Sequence, residues 1–234
     1  MNKREFAADP ALFPSGGILE ALRDHATDEW RAYLHHPFVE GLADGSLPEA
    51  CFRHYLAQDY LFLIHFTRAY ALAAYKSESL SDIRNAVAAC AAIVDVEMGL
   101  HVEFCRGWGL TEAEMENTLE DTATLSYTRY VLERGLAGDV LDLQVALAPC
   151  VLGYAEIGAA LSKEAVSQNP YAAWIEMYAG DEYQQVARDA AAHIENLAAQ
   201  RGGRDRLDSL KRTFSEATRL EIAFWEQGLA AEKN

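Results

Sequence analysis

Three residues of this chain have side chains able to act on a substrate and a spacing that turns them inward: Cys150, Asp59 and Glu221. Leu143, Leu147, Cys150, Tyr154, Ile157 and Leu161 follow one another in steps of four and three, the pattern of one helix face. Phe52, Leu56, Asp59, Leu63, Phe66 and Tyr70 make a second such face, and Leu210, Phe214, Ala217, Glu221, Phe224 and Gly228 a third. A thiol attacks as thiolate and needs a base or hydrogen-bond donor nearby to activate it. Two carboxyls in a confined pocket can be pushed to different pKa values, one holding a cationic group and one shuttling protons. Three helices would each aim one reactive side chain at one shared pocket. Tyr60, Tyr127, Tyr154 and Tyr178, with Phe62, would wall it as a stacking slot for a flat heteroaromatic ring.

Each of these groups also has a plainer reading. Unpaired cysteine is among the most buried residue types and mostly acts as a small hydrophobe. Asp59 and Glu221 can be tied to an interior Arg, Tyr or Trp, because a buried carboxylate without a partner is costly. The tyrosines can be ordinary core aromatics with satisfied hydroxyls. Glu97 and His101 stand at i and i+4, a spacing that can ligate a metal. A carboxylate-bridged di-iron bundle instead wants paired Glu-x-x-His motifs and further glutamates. A buried Glu97–His101 hydrogen bond is the expectation, with no metal site. His65 reads as a core or pocket-edge histidine. No glycine-rich phosphate loop is present, so nucleotide-driven chemistry is unsupported.

The elements that must hold these residues are helices. A chain of 234 residues, half of them hydrophobic, suffices for one domain with a sizeable core. Its net charge of −16, with no offsetting basic stripe, argues against nucleic acid. Cysteines at 51, 90, 105 and 150 form no CxxC pair, so neither a zinc site nor a disulfide framework is indicated. No long apolar run follows Met1-Asn-Lys-Arg, and no segment approaches the roughly 20 apolar residues that span a membrane. A reducing cytoplasm is the default compartment.

In chain order, residues 1–17 read as a flexible lead-in, ending in Pro14-Ser15-Gly16-Gly17, and residues 18–234 as a single all-α domain. A first helix runs from Ile18 toward Leu34 and breaks at His36-Pro37. Asp44-Gly45-Ser46 is a turn, and Ser46-Leu47-Pro48-Glu49 reads as a capping box opening the Asp59 helix. That helix ends near Lys76. The next runs from about Ser81-Asp82 to Trp108, with Val87, Cys90, Val94, Glu97, His101 and Phe104 on one stripe. Thr111 to Glu114 caps a brief helix, and Ser126 to Arg134 is helical and terminated at Gly135. Gly138-Asp139 starts the Cys150 helix. Asn169-Pro170 opens a helix carrying Tyr171, Trp174, Ile175 and Tyr178, and two long helices over Glu182–Ala199 and up to Gly228 close the chain.

Taken together, several of these stretches resemble the thiaminase II (TenA) family. They are His36-Pro37-Phe38-Val39, Asp44 to Pro48, Tyr55-Leu56-Ala57-Gln58-Asp59-Tyr60 and Glu97-Met98-Gly99-Leu100-His101. Ser126-Tyr127-Thr128, Ala148-Pro149-Cys150, Trp174 to Asp181 and Leu220-Glu221 with Phe224-Trp225 continue the series in family order. The resemblance implies a heme-oxygenase-like helical bundle that binds no heme, needs no cofactor and is usually a homotetramer. It implies hydrolysis of 4-amino-5-aminomethyl-2-methylpyrimidine to the hydroxymethylpyrimidine in thiamine salvage, often with thiamine cleavage as a side activity. On that likeness Cys150 matches the residue that adds to the ring and Glu221 the one that exchanges protons. Asp59 matches the grip on the ring's amino and nitrogen edge. Tyr127 and Tyr178 match orienting tyrosines, Tyr154 and Phe62 the stacking walls, and His101 is placed with the substrate-binding residues. Cys150 puts the chain among the cysteine-type rather than the glutamate-type members, and Phe62 stands where some members carry tyrosine. Two other readings stay open: an oxidase on the same bundle, with Glu97 and His101 as ligands, and a non-enzymatic pyrimidine-binding regulator.

Overall fold

Helix follows helix because apolar residues recur at three- and four-residue steps between short polar or Gly/Pro breaks. The structure, a computed structural model, describes residue 6, residues 9–164 and residues 166–231, and no strand occurs among them. The helices are α1 (Ile18–His25), α2 (Thr27–Leu34), α3 (Pro37–Asp44), α4 (Glu49–Lys76), α5 (Leu80–Ala92) and α6 (Met98–Gly107). They continue as α7 (Glu112–Glu116), α8 (Thr122–Ala137), α9 (Val140–Leu161), α10 (Ala172–Ala179), α11 (Asp181–Gln200) and α12 (Leu207–Ala230). A π-turn, Ile93–Glu97, joins α5 to α6. The fold is all-α, as the periodicity requires. Its contacts fall into two compact units, one from Met1–Leu47 and Val145–Trp225, the other from Pro48–Gln144 and Glu226–Asn234.

In the first unit, residues 1–5, 7 and 8 of the expected lead-in lie outside the described residues. From Asp9 onward the lead-in is anchored rather than loose, because Leu12 and Phe13 are buried. Phe13 meets Trp30 edge-on at 5.6 Å and carries the Arg23 guanidinium 4.4 Å above its ring. The expected first helix is two, stepping at Ala26. The start of α1 is capped from a distance: Glu195 of α11 accepts from the Ile18 and Leu19 amides at 3.0 and 2.9 Å, satisfying two otherwise orphaned donors. His36 Nδ1 accepts from the Phe38 amide at 3.2 Å and so caps α3. At the other end of α3, Gly45 adopts a φ of 77°, the left-handed stop that glycine allows. The Asn169 amide donates to the Leu42 and Ala43 carbonyls there, at 2.8 and 3.1 Å. That bond, and one from the Tyr171 hydroxyl to the Leu47 carbonyl, fix where α10 begins.

By length and composition α9 could cross a membrane, contrary to the expectation that no segment comes close. It spans 22 residues at a mean hydropathy of 1.5, yet 94% of that window is buried inside the protein. It is a core helix.

In the second unit α4 is buried on every side from Cys51 to Leu63 apart from Arg53 and His54, and α5, α6, α7 and α8 pack on it. The expected Ser46 capping box does not form. The Ser46 amide is taken by Asp44 Oδ1 at 2.9 Å, and Pro48 occupies the cap position without a side-chain bond. Of the expected stripe, His101 is buried, but Val87 and Val94 are 53% exposed while their neighbours Ala86 and Ile93 are buried. A π-turn adds one residue to a helical turn and rotates the residues beyond it, so a uniform 3.6 period fails across it. Nor does Gly135 end a helix. α8 runs from Thr122 through it, because a Cβ there would stand 2.9 Å from Leu143 and Leu72 methyls. The Thr111–Glu114 capping box forms as expected.

Candidate active site

In the first unit the thiol is singled out by its surroundings. Every residue of α9 is buried except Cys150 and Ala159. A cysteine acting as a small hydrophobe would be covered like its neighbours; this one is half-buried. Pro149 precedes it inside the helix and, lacking an N–H, leaves the Val145 carbonyl without its helical donor. One turn on from Cys150, the Tyr154 ring lies 4.8 Å from Tyr178 and 5.3 Å from Trp225, centroid to centroid. Trp174 closes on Tyr178 at 4.6 Å. Glu221 stands one turn before Trp225 on α12 and is 1% exposed. Cys150 and Glu221 are thus each one helical turn from a member of the same ring pair, Tyr154 against Trp225.

Two glycines let this wall form. A Cβ on Gly153 would come 2.2 Å from the Tyr33 ring, and one on Gly158 would come 2.5 Å from the Tyr178 carbonyl carbon. Glycine costs helix propensity, but here it admits α2 and α10 to close contact with α9. Gln184 locks the result, its amide donating to the Ala155 and Tyr178 carbonyls at 2.9 and 2.8 Å. A further carboxyl, Glu156, accepts from Trp30 Nε1 at 2.8 Å and faces Arg23 at 3.7 Å. Sequence spacing did not single it out. Its polar type inside an apolar helix was the available signal.

In the second unit Asp59 is buried, and His101 Nδ1 lies 3.6 Å from its Oδ2. Burial pushes the Asp59 carboxyl up to about 7. The Glu97 carboxyl is likewise pushed up to about 7, by burial first and then by the neighbouring charge of Asp59. Burial and Asp59 together raise the Cys105 thiol to about 12, leaving it unreactive. The expected Glu97–His101 hydrogen bond is absent. His101 Nε2 is instead 3.0 Å from the Leu56 carbonyl, on the helix that carries Asp59.

Phe62 lies on the same helix, 5.2 Å from the Tyr127 ring, so these two expected wall residues do meet. Tyr60 stands beside His101, ring centroids 6.4 Å apart, and burial, then the charges of Glu116 and Glu112, raise its hydroxyl. His65 is not a core residue. It belongs to a partly exposed network with Glu120 at 3.1 Å and Arg129 at 2.9 Å. Gln58, wholly buried, was not singled out from the pattern and sets the start of α8. Its carbonyl oxygen accepts from the Asp121 amide at 3.0 Å and the Thr124 hydroxyl at 2.7 Å, which places Tyr127 one turn later. Among the described residues no group of three or more His, Cys, Asp or Glu is arranged to hold a metal ion.

Residues 23–231 match the TENA/THI-4/PQQC family. A solved structure described as a TenA family transcription regulator from Silicibacter sp. TM1040 superposes with a TM-score of 0.87. It is 46% identical, and the match covers 91% of this chain and 96% of that one. An uncharacterised protein of Haemophilus influenzae is 38% identical over 214 residues, 91% of this chain and 99% of its own length. The aminopyrimidine aminohydrolase of Halalkalibacterium halodurans is 34% identical over 208 residues, 88% of this chain and 92% of its own.

Proposed function

This chain belongs to the TENA/THI-4/PQQC family, and on that premise we propose that it is a hydrolase acting on a C–N bond of an aminopyrimidine. The substrate is 4-amino-5-aminomethyl-2-methylpyrimidine, converted with water to the 5-hydroxymethyl compound and ammonia in thiamine salvage, with thiamine cleavage as a side activity. The observation that carries the reading is Cys150, left half-buried in a helix otherwise almost wholly buried and one turn from an aromatic wall. The similarity to the Halalkalibacterium enzyme supports the substrate class.

Expelling an amine from an exocyclic methylene needs electron density pushed through the ring. Addition of the Cys150 thiolate to the ring supplies it and splits one hard step into two easier ones. Glu221 protonates the departing nitrogen and later takes a proton from the incoming water. Asp59 grips the amino and ring-nitrogen edge, Phe62 and Tyr154 stack on the ring, and Tyr127 and Tyr178 orient it. His101 is added to this substrate-binding set on the same likeness. No cofactor enters the scheme.

The same reading makes the protein a cytoplasmic homotetramer. None of its four cysteines is in a disulfide, which suits a reducing compartment. Leu80, Val87 and Val94 recur at seven-residue steps and are 59%, 53% and 53% exposed, an apolar face suited to burial against another subunit. Side-by-side turnover of the aminopyrimidine and of thiamine, followed by chromatography of the hydroxymethyl product, tests the activity. Release of that product from neither compound rejects it.

A further inference from the structure

Behind Asp59 the second unit holds a buried polar arrangement in which His101 meets protein groups on both sides of its ring. His101 Nε2 faces the Leu56 carbonyl at 3.0 Å. A carbonyl only accepts, so Nε2 carries the hydrogen, and neutral His101 turns a lone pair at Nδ1 toward Asp59, 3.6 Å away. The anchor is intrinsic to α4, because Leu56 and Asp59 lie three residues apart on one helix. Glu97 stands one turn before His101, at the end of the π-turn, and such turns are frequent at functional sites. Both nitrogens of His101 therefore face protein groups rather than open space.

We propose that His101 is a positioning residue for Asp59. Its ring, anchored by the Leu56 carbonyl, sets a lone pair against the Asp59 carboxyl and fixes its orientation, leaving the carboxyl proton for the substrate, while Glu97 sets the charge beside it. This deepens the proposed function and rests on Asp59 being the grip on the ring edge. Burial holds His101 below its ordinary basicity and raises the Asp59 carboxyl to about 7, so below about pH 7 the proton resides on Asp59 rather than on His101. A protonated carboxyl offers one O–H donor and one acceptor. The ring edge of a neutral 4-aminopyrimidine offers the reverse, a ring-nitrogen acceptor beside an amino donor. The pair is thus built for a neutral amidine-type edge, not for a simple cation. The other titratable groups against it are Glu97, Cys105 and Tyr60, the last facing Glu112 and Glu116 of α7.

Two measurements on the full chain test this. Nitrogen-15 spectra of the histidines, taken without ligand, should show His101 in the Nε2–H form, with a pH-dependent Nδ1 shift that disappears in Asp59→Asn. An Nδ1–H tautomer, or the same titration in Asp59→Asn, overturns the proposal. Calorimetric binding of the hydroxymethyl pyrimidine across pH is the second. Glu97→Gln should move the midpoint of that profile to lower pH, because a like charge beside Asp59 is removed. His101→Gln can keep the donor to Leu56 but loses the group facing Asp59. It should weaken binding roughly tenfold, as misorientation of one hydrogen-bonding group would, and shift the midpoint. His101→Gln with wild-type affinity and midpoint overturns the positioning role. If that variant does not fold, the spectra of the wild type and Asp59→Asn still decide. A wild type that binds no pyrimidine at any pH defeats the functional reading instead, and the spectra judge the pair independently of it.

Discussion

Replacing Asp59 by Asn should stabilise the protein above neutral pH. The Asp59 carboxyl is raised from 3.8 to about 7 by burial. A shift of that size makes the ionised native state less stable by about 4 kcal/mol, at 1.36 kcal/mol per pH unit. In the unfolded chain the carboxyl returns to its ordinary value, so between those two values the native state binds the proton and the unfolded state does not. Stability is then fully present below about pH 4 and is lost as pH rises through about 7. From pH 5 to pH 8 this one group removes about 2–3 kcal/mol. Asn is close in shape to the protonated acid and does not ionise, so Asp59→Asn should flatten that part of the profile and gain a few kcal/mol at pH 8. Urea denaturation at a series of pH values measures it, with the slope of the transition checked for constancy. Glu97 titrates over the same range and leaves a residual slope in the variant. An Asp59→Asn protein less stable than wild type at pH 8, or with an unchanged profile, refutes the reasoning.

Other outcomes are expected from the same structure. Cys150→Ser should bind pyrimidine nearly as well as wild type and lose turnover, and Glu221→Gln should lose about 10²–10⁴-fold in turnover. The double variant should be little worse than the poorer single one, because groups acting as a unit are not additive; Cys150→Ser turning over near the wild-type rate would remove the covalent step. Gly158→Ala places a Cβ against the Tyr178 backbone and should cost about 1–3 kcal/mol by overpacking; its urea midpoint and turnover should fall together, and an unchanged midpoint would show that α10 yields freely. Sedimentation at micromolar concentration should find four times the 25.9 kDa chain mass, and a monomer there would count against the exposed Leu80, Val87 and Val94 face as a subunit contact.

The helices were legible wherever one period runs unbroken. The three inward stripes through Phe52, Leu143 and Leu210 are buried over most of their length, and Lys76 ends α4 where the Ser77-Glu78-Ser79 break lies. The misreadings each have a local cause. A π-turn leaves no signature in residue type, so a single stripe drawn through α5 and α6 meets the inner face at His101 but runs one residue out of phase at Val87 and Val94. Glycine read as a stop at Gly135 is a point of close packing instead, a distinction that depends on what approaches from elsewhere in the chain. The partner of His101 was sought on its own helix, at Glu97, and lies on α4. Chemistry-bearing residue types were easier to read than their partners, because type is local and partnership is not.

The Silicibacter structure is described as a regulator, and a pyrimidine-binding regulator would share much of this architecture. It would need Asp59 and the rings of Phe62 and Tyr127, and it would have no use for a thiol. Yet α9 is sealed everywhere but at Ala159 and Cys150, where a larger apolar side chain could cover the helix and add hydrophobic stability. The net charge of −16, with 36 acidic against 20 basic residues, also opposes any direct reading of a nucleic-acid backbone. Two features are kept here against stability, a half-open thiol and a carboxyl held near neutrality by burial. A binding protein has a use for the carboxyl alone; a hydrolase that adds a nucleophile to a ring it has gripped has a use for both.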